Sequence, residues 1–193
     1  MGKTRTEPTS PPLPARLVDQ LRELRLPAFR DHYQAQAEHV LVFGKPGSGK
    51  THALCGLGEQ LVLQGRSVYF ASCSLLVQDL LVAKRDLKLE KFVKRLAAFE
   101  ALIIDDLGYV QQSREEMEVL FTLLAERYER GSVLLTSNLP FSQWTQIFKD
   151  PMTTAAAIDR LVHHSVIVEL NVASYRLETA KSARTSKDIA PDV

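Results

Sequence analysis

The sequence predicts an α/β protein of the P-loop kind. The expected architecture is a three-layer α/β/α sandwich on a mainly parallel five-stranded sheet. Three observations predict it. Gly44-Lys45-Pro46-Gly47-Ser48-Gly49-Lys50-Thr51 follows the pattern of glycine, four residues, then Gly-Lys-Ser/Thr. An apolar run, Leu102-Ile103-Ile104, ends in the acids Asp105 and Asp106. Strand-like and helix-like segments alternate from residue 40 to residue 170, as in parallel sheets covered on both faces.

The glycine motif has the flanks it requires. Val40-Leu41-Val42-Phe43 is a short apolar run suited to a buried parallel strand. Residues 51–64 read as a helix with Ala53, Leu54, Leu57 and Leu61 at helical spacing. Strand, glycine loop and helix together turn a pattern match into a phosphate site. The glycines let backbone approach a phosphate closely. Loop N–H groups and the helix N-terminus favour an anion. Lys50 would reach the β- and γ-phosphates, and the Thr51 hydroxyl would ligate Mg²⁺.

Further strands are expected at 67–71, 101–105, 132–136 and 165–170. Helices are expected at 74–85, 88–98, 115–129, 141–148 and 154–163, with Ser113 and Glu116 as a capping box for 115–129. Before the core, residues 1–14 carry Pro8, Pro11, Pro12 and Pro14 and read as a disordered tail. Residues 15–38 read as a short helical segment with Leu17, Val18, Leu21 and Leu24 on one face, interrupted at Pro27. The core spans 39–179, and the polar residues 180–193 form a second tail.

Composition narrows the class. The chain has 193 residues, 45% of them hydrophobic, which suits one globular domain with short appendages. No run reaches the length of a membrane helix and no signal-peptide core opens the chain, so a cytoplasmic protein is expected. Cys55 and Cys73 have neither metal nor redox spacing. With 24 basic and 23 acidic residues, net charge says nothing about nucleic acid, and only local patches can.

The remaining chemistry lies at strand ends. Asp105 is placed to hold Mg²⁺ through its waters. Asp106 is placed to polarise an attacking water as general base. Taken alone, an Asp-Asp pair at a strand end is often a turn. Asn138, after Thr136-Ser137, would orient that water with its amide, although an Asn before Pro140 also suits turn geometry. Arg160 is a candidate arginine finger acting on a neighbouring subunit, with a surface ion pair to Asp159 as the alternative. Arg176 is a second candidate with the same alternative. Lys84, Lys88, Lys91 and Arg95 fall at i, i+4, i+7 and i+11. On one continuous helix they would share a face able to track a DNA backbone, or simply form a solvated charged face. His163-His164 diverge on a helix and lack a third ligand, so they read as structural.

These motifs together resemble a known family. Gly44–Thr51, Leu102–Gly108, Thr136–Pro140 with Trp144, Asp159-Arg160-Leu161 with His163-His164, and Ser174-Tyr175-Arg176 look like the IstB-type ATP-binding proteins. Arg127-Tyr128-Glu129-Arg130 and Thr136–Phe141 are similar to that family nearly word for word, and the match covers about 39–179. These are helper ATPases of insertion-sequence transposition, related to DnaC-type helicase loaders within the AAA+ class. The resemblance implies Lys50 and Thr51 as phosphate-loop lysine and magnesium ligand, and Asp105 and Asp106 as the acidic pair. It makes Asn138 the first sensor, Arg160 the finger and Arg176 the second sensor. It also implies a reduced helical lid, ATP-dependent homo-oligomers on double-stranded DNA, and a cognate transposase as partner. Leu24–Phe29 is similar to the start of the family's N-terminal helical region, yet the first core strand follows Glu38 almost at once, so the chain looks internally shortened there. A replicative helicase loader and a non-catalytic nucleotide-binding remnant are the alternative readings.

Overall fold

The computed structural model describes residues 39–108, 113–128, 130–148, 150–163, 165–172 and 174. The expected N-terminal helical segment, both tails and Arg176 lie outside them.

Five strands form one sheet. They are β1 (His39–Gly44), β2 (Val68–Ser72), β3 (Ala101–Leu107), β4 (Ser132–Ser137) and β5 (Ser165–Leu170). Their order is β2-β3-β4-β1-β5, and every neighbouring pair is parallel. The central strands β1, β3 and β4 are apolar and buried nearly throughout, as strands covered on both faces must be. The edge strands β2 and β5 are only partly buried.

The helices are α1 (Lys50–Leu63), α2 (Cys73–Arg85), α3 (Leu89–Ala97), α4 (Arg114–Arg127), α5 (Thr145–Phe148) and α6 (Pro151–Val162). Helix α1 packs directly on β1, β3 and β4. A Cβ on its Gly58 would meet Ile103 Cδ1 at 2.7 Å, so a bare backbone is what lets this helix sit so close to the sheet. The alternate residues Leu41, Phe43, Leu102, Ile104, Val133 and Leu135 join one core with buried residues of the remaining helices. That alternation puts helices on both faces, the three-layer arrangement expected.

Two expectations need correction. The segment 141–148 is not one helix but a 3₁₀ turn, Phe141–Gln143, followed by the four-residue α5. Trp144 sits at the junction, fully buried, with its indole N–H donating to Leu139 O at 3.0 Å. Helix α6 begins at Pro151 rather than at 154, because Pro151 occupies the first turn and Asp150 caps it through Thr153 N at 2.6 Å. As the separate helices expected at 74–85 and 88–98 imply, the residues from Lys84 to Arg95 do not share one continuous helix. Leu87, a left-handed residue at φ 58°, lies in the break between α2 and α3. The capping box on α4 is present as expected, with Glu116 N donating to Ser113 Oγ at 3.3 Å.

Candidate functional site

The glycine loop joins β1 to α1. Gly47 and Gly49 take φ 81° and 93°, conformations that cost a residue with a Cβ. A Cβ on Gly47 would also meet Ser174 Oγ at 2.1 Å. The loop therefore has no room for a side chain there. Gly49 is the residue before the first turn of α1, so that turn's N–H groups open towards the loop.

Lys50 is 5% exposed and its ammonium is held by three oxygens. They are Gly44 O at 2.9 Å, Lys45 O at 3.1 Å and Asn138 Oδ1 at 2.6 Å. The last contact joins the loop after β1 to the end of β4. Thr51 Oγ1 donates to Asp105 Oδ1 at 3.1 Å, joining α1 to β3. Four sequence-predicted residues, Lys50, Thr51, Asp105 and Asn138, thus meet at the carboxyl ends of three adjacent strands. Ligands of parallel α/β sheets bind at this end.

The donor set suits Mg-ATP. A buried ammonium, a helix N-terminus and left-handed glycines form a cradle for a triphosphate. Ser48 Oγ is buried with no hydrogen-bond partner among the described residues, an orphan that a phosphate oxygen would satisfy. A hydroxyl and a carboxylate in contact are the oxygen donors Mg²⁺ prefers, with water completing its shell.

Asp106 is exposed and takes φ 61°, unusual for a residue with a Cβ. Its backbone N–H donates to Thr136 Oγ1 at 2.7 Å. Arg160 does not pair with Asp159 among its described contacts. Its guanidinium lies 4.9 Å over the Phe121 ring on α4 and donates to Ala156 O at 2.9 Å. Lys84 pairs with Glu118 at 3.0 Å, Lys88 with Asp86 at 3.3 Å, and Arg95 lies over Phe92 at 4.7 Å. Lys91 is exposed on α3.

Sequence reasoning gave no role to Thr136 or Arg127. Thr136 is fully buried and its hydroxyl donates to Asp105 Oδ1 at 2.6 Å. Arg127 is 1% exposed and donates to backbone carbonyls at the roots of β3 and β4. The available signal for Thr136 was a hydroxyl directly after the apolar run Val133-Leu134-Leu135.

The family model described as IstB-like ATP binding protein matches residues 9–183. The chain belongs to this family. A putative insertion sequence ATP-binding protein of Sinorhizobium fredii is 46% identical over 80% of this chain and 52% of its own length. The putative ATP-binding protein of insertion sequence IS21 from Pseudomonas aeruginosa is 38% identical over 81% of this chain and 59% of its own length. The chain thus spans little more than half of these relatives. Among solved structures, DnaI superposes with a TM-score of 0.66 at 19% identity, covering 80% of this chain and 84% of that one. AMPPCP-bound DnaA from Aquifex aeolicus superposes with a TM-score of 0.63 at 15% identity, covering 95% and 55%. At those identities the likeness establishes the fold, that of P-loop AAA+ proteins. No helix among the described residues is long and apolar enough to cross a membrane.

Proposed function

We propose that this chain binds Mg-ATP on the Gly44–Thr51 loop and hydrolyses it. We further propose that it assembles with copies of itself on double-stranded DNA in the cytoplasm, where it recruits or activates the transposase of its insertion sequence. The observation that carries the reading is the 2.6 Å contact of the Lys50 ammonium with Asn138 Oδ1 beside the Thr51–Asp105 pair. These contacts bring the residues assigned to phosphate binding and to water orientation together, which supports the reading.

Each residue then has a task. Lys50 neutralises charge on the β- and γ-phosphates. Thr51 and Asp105 would hold Mg²⁺, which supplies further charge neutralisation as the phosphoryl group departs. Asp106 accepts the proton of the attacking water, and Asn138 orients that water once Lys50 has turned to the phosphates. Arg160, released from Phe121, reaches the site of the next subunit, and Arg176 senses the nucleotide within its own. Lys84, Lys88, Lys91 and Arg95 contact DNA phosphates from two helices and the turn between them. The insertion-sequence relatives support the transposition part of the reading.

The test is thermal stability with and without Mg-ATP, in wild type and Lys50→Ala. A ligand at 100 times its Kd stabilises by about 2.7 kcal/mol. The wild type is expected to shift and Lys50→Ala to lose the shift. A folded wild type that Mg-ATP does not stabilise overturns the proposal.

A further inference from the structure

Thr136 stands where the ladder between β3 and β4 breaks. Ile104 pairs with Leu135 and Leu107 with Ser137, so two residues of β3, Asp105 and Asp106, oppose the single residue Thr136. This is a β-bulge, a device that re-aims side chains next to functional sites. In a regular strand, successive side chains point to opposite faces, so adjacent acids could not serve one ligand equally. The bulge breaks that alternation, and Asp106 carries the distortion at φ 61°.

The Thr136 hydroxyl closes the gap. It donates to Asp105 Oδ1 at 2.6 Å and accepts from the Asp106 N–H at 2.7 Å. One donor and one acceptor function are both used, within a fully buried side chain. Its neighbour Ser137 secures the far side of the bulge, its hydroxyl lying 2.9 Å from Leu107 O.

We infer that Thr136 is a positioning residue for hydrolysis, whose single hydroxyl fixes the Asp105 carboxylate for Mg²⁺ and the strained backbone of Asp106 for its work as base. The inference rests on the proposed ATPase reading. Without the hydroxyl, Asp105 retains only Thr51 among its described partners, and Thr51 is the residue that would turn to Mg²⁺. The bulge loses its cross-strand anchor at the same time. Thr136 is fully buried and bonded to both acids, so its loss acts through them. Partners that orient a metal ligand are typically worth 10- to 100-fold in metal affinity or activity.

The experiment compares wild type, Thr136→Val and Thr136→Ser. Val keeps the shape and removes the hydroxyl, whereas Ser keeps the hydroxyl. Two quantities are read: ATP turnover, and the Mg²⁺ concentration that half-saturates binding of a fluorescent ATP analogue. Thr136→Val is expected to lower turnover about 10- to 100-fold and raise the Mg²⁺ requirement, with Thr136→Ser close to wild type. An unmoved Mg²⁺ requirement in Thr136→Val, or equal impairment in Thr136→Ser, overturns the inference. Thr136→Ala, which adds no bulk, takes the place of Val if that variant does not fold. A wild type that binds the analogue but turns over no ATP refutes the proposed hydrolysis and the Asp106 half of the inference, and the Mg²⁺ dependence of binding then decides the Asp105 half. A wild type that binds no nucleotide overturns both.

Discussion

Replacing Arg127 by Met removes a charge from the least exposed basic side chain of the site's scaffold. The guanidinium reaches Phe99 O at 2.6 Å, Ser132 O at 2.8 Å and Glu100 O at 3.1 Å, with longer contacts to Leu96 O and Ala97 O at 3.3 and 3.4 Å. These carbonyls close α3 and open β3 and β4. A hydrogen bond to a charged group contributes about 1.5–3 kcal/mol, so three good ones would sum to roughly 4.5–9. The sum is too large, because the bonds share one group and the cost of burying that group's charge is relieved when it is removed. Met also keeps most of the apolar contact. A loss of about 3–5 kcal/mol follows, a large part of a typical total of roughly 5–15. Urea unfolding reads it directly. At a slope of about 2 kcal/mol per molar, the midpoint falls by roughly 2 M with the slope unchanged. A second variant approaches from the other side. A Cβ on Gly131 would meet Arg127 Nη2 at 2.4 Å, so Gly131→Ala displaces the same guanidinium while leaving its charge in place, at about 1–3 kcal/mol. A midpoint drop below about 0.5 M in Arg127→Met would refute the clamp, since that corresponds to only about 1 kcal/mol.

Asp106→Asn should leave nucleotide binding intact and slow hydrolysis about 100-fold, as expected for loss of a general base; equal turnover in a steady-state ATPase assay removes Asp106 from that role. Asp150 supplies a pH test of α6. Hydrogen bonds from the Thr153 hydroxyl, then from its backbone N–H, hold the Asp150 carboxyl below the usual range. A carboxylate depressed in the folded state contributes stability above its unfolded pKa of about 3.9, and that contribution is lost as pH falls through the folded value. Asp150→Ala should therefore lower the melting temperature clearly at about pH 7 and much less at about pH 3; an equal drop at both leaves the charge of the cap without effect.

The phosphate loop was legible because its chemistry is local. Gly44, Gly47, Gly49, Lys50 and Thr51 act through backbone angles and a helix start that a short run of sequence determines. The sheet was legible for the same reason, since Leu102-Ile103-Ile104 and Val133-Leu134-Leu135 are fully apolar and short. The break between the helices at 74–85 and 88–98 was legible, but spacing could not show that Leu87, which carries no glycine signal, takes a left-handed conformation there. Arg127 was invisible for a different reason. In sequence it closes an amphipathic helix beside Glu126, as any solvated arginine would. Only the convergence of two distant chain segments, Phe99-Glu100 before β3 and Ser132 at the start of β4, makes it a buried clamp. The role of Thr136 needed the register of two strands far apart in sequence, which no local pattern encodes.

The order of the sheet explains why so much of the site falls to one strand. Strand β4 lies between β3, which carries Asp105 and Asp106, and β1, which leads into the phosphate loop. Its carboxyl end is flanked by both. Thr136 reaches to β3 and Asn138 reaches to Lys50, two residues apart and in opposite directions. Successive strand positions face opposite sides, so Ser137 between them is left to hold the chain itself, bracing Leu107 O and the turn at Leu139. The segment Thr136-Ser137-Asn138 therefore acts as a bridge between the acids and the loop. A change at any of its three side chains should alter the spacing between water-activating and phosphate-binding groups, even where the phosphate loop itself is untouched.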